Sequence, residues 1–135
     1  MKRLLVTIFL IVLSSEFCLA QESEPEHLLD GTSMKYYYQN GSAVKVDFIE
    51  GMFHFNWLAG PIKGRMGSAK YQSRKISEKM YLVNFTVEDN GTFVTLLFNF
   101  NQNVMYSSVL NQPGTEYEKV GFNGGIIEHL KLVEK

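Results

Sequence analysis

Apolar and polar residues alternate one by one along much of this chain, and tight-turn signals interrupt the alternation about every ten residues. Residues 34–38 alternate, Asn40-Gly41 follows, and residues 44–48 alternate again; Glu50-Gly51 then precedes a third such run at 53–57. Because the side chains of a strand point in turn to the two faces of its sheet, this pattern indicates antiparallel strands. Asn-Gly between two such runs predicts a hairpin, in whose usual turn both central residues need positive φ.

Further strand-like segments continue towards the end of the chain. Strands are predicted at 65–76, 80–87, 92–100, 104–110 and 117–122, and residues 126–133 are either a last strand or a short helix. No helical pattern of ten residues or more is present, so the chain is predicted to be all-β. Eight or nine short strands joined by tight turns favour a small antiparallel up-and-down barrel, which leaves no free sheet edge. A β-sandwich is the alternative.

The start of the chain has the composition of a secretory signal. Lys2 and Arg3 precede an apolar run at 4–13, and Ala20 is the small residue that a signal peptidase requires. The run is too short for a typical membrane span. We therefore expect a secreted or periplasmic protein that has no membrane contact after cleavage. The predicted organisation is a signal peptide (1–20), a flexible leader (21–29) and a single barrel domain (30–135).

The content of charged residues, cysteine and histidine argues against nucleic-acid binding, a disulfide and a metal site. The chain has 13 Lys and Arg against 14 Asp and Glu, with no basic run, so nucleic acid is not an expected partner. Cys18, the only cysteine, lies within the predicted signal, so the mature domain has no disulfide. His27, His54 and His129 lack metal-ligand spacing, and we expect no metal and no cofactor. The sequence leaves open whether the protein is a homodimer.

Five residues of the predicted barrel are candidates for an internal site that takes a small-molecule ligand. Tyr36 and Tyr38 share one face of a strand and can offer two hydroxyls to a buried anion. Arg65, in a Gly-rich loop, can hold a carboxylate with two hydrogen bonds, and Trp57 belongs to the aromatic wall. Glu88, at a hairpin end, is a candidate general acid if the barrel mouth desolvates it. The simpler interpretations are core tyrosines and solvent-exposed charges.

Four segments, in this order and spacing, resemble the group formed by the MoaF-like proteins and the phenolic acid decarboxylases. They are YYYQNG at 36–41, GPIKGR at 60–65, YLVNFT at 81–86 and NGTFVTLLFNF at 90–100. The resemblance implies a lipocalin-like barrel and, for the decarboxylases, a cofactor-free site of two tyrosines, an arginine and a glutamate. Tyr36, Tyr38 and Arg65 match the first three. Val87 stands in the place of the glutamate, with Glu88 one residue later, and such a shift on a strand reverses the direction of a side chain.

The departures from the decarboxylase pattern make the MoaF-like branch the closer resemblance. Met66 replaces the tryptophan that follows the arginine in the decarboxylases. Three hypotheses follow. The first is an exported barrel that binds a small aromatic or carboxylate-bearing ligand. The second is decarboxylation of a para-hydroxycinnamic acid through a quinone-methide intermediate, with Glu88 transferring a proton. The third is a barrel filled by its own side chains that acts through a protein partner.

Overall fold

The computed structural model describes residues 26–135, which form one closed barrel of eight antiparallel strands. The predicted signal peptide and residues 21–25 of the predicted leader lie outside the described residues. Each strand pairs with the next along the chain, and the last pairs with the first, which confirms the predicted all-β up-and-down barrel. The strands are β1 (Ser33–Tyr38), β2 (Ala43–Ile49), β3 (Met52–Ala59), β4 (Met66–Ser77), β5 (Met80–Val87), β6 (Thr92–Asn99), β7 (Val104–Asn111) and β8 (Lys119–Lys131).

Helix is almost absent from this part of the chain. One 3₁₀ turn, at Glu88–Asn90, joins β5 to β6. Within residues 26–135, no helix has the length and apolar character needed to cross a membrane.

Tight turns occur where the sequence predicts them, but one differs in conformation. Glu50 (φ 49°) and Gly51 (φ 76°) form the two-residue turn between β2 and β3. In the loop between β1 and β2, Gly41 has positive φ (84°) whereas Asn40 does not, and Asn40 Oδ1 instead accepts a hydrogen bond from the N–H of Ser42 (3.0 Å). The expectation of two left-handed residues was wrong there, because the asparagine side chain satisfies the backbone of a wider turn.

The last two predicted segments are a single strand. β8 runs unbroken through the glycines that separated the predicted strand at 117–122 from the strand or helix at 126–133. A Cβ on Gly125 would lie 2.7 Å from the carbonyl oxygen of Tyr37 on β1. The glycine therefore allows β8 to approach β1 closely and close the barrel, and the strands number eight rather than nine.

The two ends of the described chain, residues 26–32 and 132–135, pack over the end of the barrel at which β1 begins and β8 ends. Leu29, in the predicted leader, is fully buried there. The Tyr71 hydroxyl donates to Asp30 (2.8 Å), and the Tyr81 hydroxyl donates to Glu134. Large apolar side chains fill the adjoining half of the interior: Met34, Val46, Phe48, Phe53, Phe98, Met105 and Ile127. This end of the barrel is therefore closed.

Candidate functional site

The opposite end of the barrel carries a cavity. The loops that follow β1, β3, β5 and β7 lie at this end, because the strands alternate in direction. The cavity has a volume of about 290 Å³. A cavity of roughly 150 Å³ accommodates benzene, so this one has room for an aromatic ring with a short substituent.

Tyr36 and Tyr38 both line the cavity, as the alternation of β1 predicts, and Tyr37 points to the outside. The two inward rings meet edge to face, with centroids 5.3 Å apart. The hydroxyl of Tyr38 is hydrogen-bonded to the hydroxyls of both Tyr36 and Ser107. Three hydroxyl groups from β1 and β7 thus form a connected set on the cavity wall.

Burial keeps both phenols protonated. Desolvation raises the pKa of Tyr36 well above its usual value near 10, and the neighbouring Tyr38 raises it further. Desolvation also raises the pKa of Tyr38, although its hydrogen bonds with Ser107 and Tyr36 act in the opposite direction. Neutral phenols can both donate and accept hydrogen bonds, so at neutral pH the pair can bind a carbonyl, a hydroxyl or an anion.

Trp57 forms part of the aromatic wall beside this pair. Its ring is stacked on that of Tyr38, with a centroid distance of 6.1 Å and an angle of 17° between the planes. Phe53 and Phe85 are stacked against each other (4.4 Å) and also line the cavity. These rings provide a flat apolar surface on which a second aromatic ring can pack.

Arg65 lies on the same cavity, in the loop before β4. Tyr36 is paired with Val44 and Val44 with Trp57, and the N–H of Trp57 donates to the Arg65 carbonyl (2.9 Å). At about 4.8 Å per strand, the Arg65 backbone is roughly 14 Å from Tyr36 around the wall. The arginine side chain is exposed at the mouth, whereas the Tyr36 side chain is buried in the cavity wall.

Glu88 is separate from these residues. It lies in the 3₁₀ turn, is exposed and does not line the cavity. Val87, the last residue of β5, is the side chain that faces inward at this position. The turn therefore does not bring Glu88 into the cavity in place of Val87. A catalytic role of Glu88 stays a prediction, and no cavity contact supports it.

The sequence analysis did not identify seven polar residues of the cavity lining. They are Asn40, Ser42, Asn90, Thr92, Ser107, Asn111 and Asn123. The Thr92 hydroxyl donates to Asn111 Oδ1 (3.1 Å), which joins β6 to β7 at the mouth. Alternation along β7 could have identified Ser107 as inward, since Met105 and Val109 share its face, but a serine on an apolar face carries no functional signal by itself.

Arg65 is the only charged residue among the lining residues within 26–135. The other polar groups are neutral hydroxyls and carboxamides. The same part of the chain contains no group of three or more His, Cys, Asp or Glu side chains that could hold a metal ion. The cavity therefore combines apolar rings, neutral hydrogen-bonding groups and one positive charge.

Comparison with known families agrees with this architecture. The profile of the MoaF N-terminal domain matches residues 15–111, which is most of the chain. The chain belongs to the MoaF family. The match supports the MoaF-like resemblance that the motifs indicated, and it extends from before β1 to the end of β7. No curated protein matches the sequence.

A solved structure with the same fold is described as a candidate β-lactamase from Burkholderia vietnamiensis. Its TM-score is 0.64 at 15% sequence identity, and the alignment covers 77% of this MoaF-family chain and 94% of that chain. At this identity the similarity concerns the barrel fold alone.

Proposed function

We propose that this MoaF-family protein binds a small, partly aromatic acid in the open half of its barrel. The observation that carries the proposal is the cavity lining: aromatic rings, the neutral hydroxyls of Tyr36 and Tyr38 on one wall, and a single positive charge, Arg65, at the mouth. Ligand sites are usually apolar cavities with a few placed polar groups that fix orientation.

The charge distribution supports an anionic ligand. The Arg65 guanidinium has no hydrogen-bond or ion-pair partner among residues 26–135, and no carboxylate lines the cavity. A ligand carboxylate at the mouth could accept two parallel hydrogen bonds from this guanidinium. The ligand ring would then lie between Trp57 and the phenylalanines, and a hydroxyl or carbonyl at its far end would meet the tyrosine pair.

The same lining distinguishes this proposal from the two alternatives. A decarboxylase of the expected kind uses a glutamate in the cavity, and the residue that faces inward beside the turn is Val87 rather than Glu88. A barrel that acts only through a protein partner needs no internal space, whereas half of this interior is open. Binding without chemistry is therefore the function that the geometry favours.

Titration calorimetry with benzoates, hydroxycinnamates and fatty acids tests the proposal. Because the guanidinium is exposed, we expect Arg65→Ala to weaken binding of the best aromatic acid by about 10- to 30-fold, the lower part of the range for charged hydrogen bonds. Lys63→Ala is the matched control, since it removes the same charge from the same loop at a residue outside the cavity lining. We expect its effect to be less than about threefold.

Two results would refute the proposal. One is a folded wild-type protein that binds none of the acids. The other is an equal loss of affinity in Arg65→Ala and Lys63→Ala, which would indicate general attraction rather than a placed contact. Absorbance of coumarate mixed with the protein reports separately on decarboxylation, and we expect no change.

We infer further that the protein acts after export. The support is the predicted signal over residues 1–20, and the lack of any cysteine after Cys18 is compatible with an oxidising compartment. Mass spectrometry of the protein from its natural host should find a chain that begins near Gln21. An intact N-terminus in the mature protein would contradict this.

A further inference from the structure

The outer surface of the barrel is divided into a charged side and an uncharged side. The pairing of β6, β7 and β8 defines a continuous block of twelve outward positions, here named the apolar face. Its members are Phe93, Thr95, Leu97, Asn99, Val104, Tyr106, Ser108, Leu110, Val120, Phe122, Gly124 and Ile126. None of them is charged, although charged residues make up 20% of the chain and are more frequent still on ordinary protein surfaces.

The outward positions of β2, β3 and β4 show the ordinary pattern. Lys45, Asp47, His54, Lys70 and Arg74 point outward there, and Lys45 forms an ion pair with Asp47 (3.5 Å). The absence of charge on the other side is therefore not a general property of this barrel surface.

The apolar face is large enough for a specific interface. Phe93, Tyr106 and Phe122 are 42%, 46% and 74% exposed, and Val120 and Ile126 are 69% and 59% exposed. At about 200 Å² for a fully exposed aromatic side chain, the three rings alone expose roughly 320 Å². With the aliphatic side chains the apolar area exceeds about 400 Å², which is unusual for a surface without a partner. A standard interface buries about 800 Å² on each side, so a core of this size suits one.

The centre of this face is pre-ordered. The rings of Tyr106 and Phe122 are stacked with centroids 6.4 Å apart and planes 12° apart. Tyr106 also lies against Gly124, where a Cβ would meet the ring at 3.2 Å. Rings that are already fixed lose little conformational freedom on binding, which is typical of the centre of a protein interface.

We propose that the apolar face is the contact surface of a symmetric dimer, with the same face of a second copy as its partner. A second copy has the same area and the same lack of charge, and therefore brings no unpaired charge into the contact. At the edge of the face that adjoins β1, Lys35 on β1 is paired with Glu128 on β8, so this edge carries both signs of charge. Because the barrel has no free strand edge, the copies must pack sheet against sheet, with the sheets about 10 Å apart.

Sedimentation of the purified protein over the micromolar range tests this proposal. We expect a dimer, and we expect Phe122→Lys to raise the dissociation constant at least about 30-fold, as substitution of a central aromatic residue does. Ile49→Lys is the matched control, because Ile49 is 51% exposed on the outer side of β2. It should leave the dimer intact.

Circular dichroism checks that each variant keeps its fold. If Phe122→Lys does not fold, Ser108→Lys decides the question, since it adds a charge beside Phe122 without removing an apolar side chain. A monomeric wild type, an open-ended series of larger species or a folded Phe122→Lys dimer would overturn the proposal. So would a wild type that binds lipid vesicles but does not self-associate. Phe122 points away from the cavity, so ligand binding is a separate measurement.

Discussion

Tyr38→Phe should destabilise the unliganded protein more than Tyr36→Phe, although each substitution removes one hydroxyl from the same wall. The Tyr38 hydroxyl is hydrogen-bonded to both Tyr36 and Ser107. Those two residues are only 3% and 1% exposed. Tyr38→Phe therefore removes a partner from two buried hydroxyls, whereas Tyr36→Phe leaves Tyr38 still bonded to Ser107.

The expected losses of unfolding free energy follow from the difference between removing one hydrogen bond and leaving a buried polar group without a partner. For Tyr36→Phe, the loss of one net hydrogen bond costs about 1 kcal/mol of unfolding free energy. For Tyr38→Phe, two buried hydroxyls lose a partner at about 1 to 3 kcal/mol each, and water entering the cavity reduces the total to roughly 2 to 4 kcal/mol. The loss of unfolding free energy in the double variant should be about 1 kcal/mol smaller than the sum of the two single losses. The reason is that the double variant has no hydroxyl at residue 36 that could be left without a partner.

Urea unfolding followed by tryptophan fluorescence measures these differences. Trp57 is the only tryptophan of the chain, and its ring is stacked on Tyr38, so its emission reports on this part of the barrel. The midpoint should fall at unchanged slope if only stability changes. Equal losses for the two single variants, or strict additivity in the double variant, would refute the reasoning that Tyr38 is the central member of the set.

Three further predictions concern the cavity, the closed end and the barrel closure. Val87→Glu should weaken binding of an aromatic acid at least about tenfold in calorimetry, because it adds a negative charge to the cavity wall, whereas Val87→Leu should not. Burial raises the pKa of Asp30, but the hydrogen bonds to its carboxylate lower the pKa by more, so the net pKa is below its usual value. The ionised Asp30 therefore stabilises the fold above about pH 4, and this contribution disappears as the pH falls. The difference in urea midpoint between Asp30→Asn and wild type should accordingly shrink in acid; a constant difference would contradict this. Gly125→Ala should cost about 1 to 3 kcal/mol because its Cβ would meet the Tyr37 carbonyl, whereas Gly121→Ala on the same strand makes only ordinary contacts, and equal unfolding curves would disprove the close-approach argument.

The features that the sequence predicted are those that depend on neighbours along the chain. Alternation with a period of two assigned inward and outward positions on β1 correctly, including the opposite directions of Tyr36 and Tyr37. Turn residues marked the hairpins. The family resemblance, carried by ordered motifs, identified the barrel and three residues that do line one cavity: Tyr36, Tyr38 and Arg65.

Only the tertiary structure decided which residues from distant strands meet. The order of Val87 and Glu88 is visible in the sequence, but the conformation of the following turn determines which of them faces the cavity. Likewise, the glycines of β8 indicate a break between two segments when only the sequence is considered. In the closed barrel these glycines lie against Tyr37 and Tyr106. The apolar face has the same origin, since its residues are adjacent through pairing across β6, β7 and β8. Alternation along one strand fixes the face of each side chain but contains no information on the register between strands, and that register determines both the site and the surface.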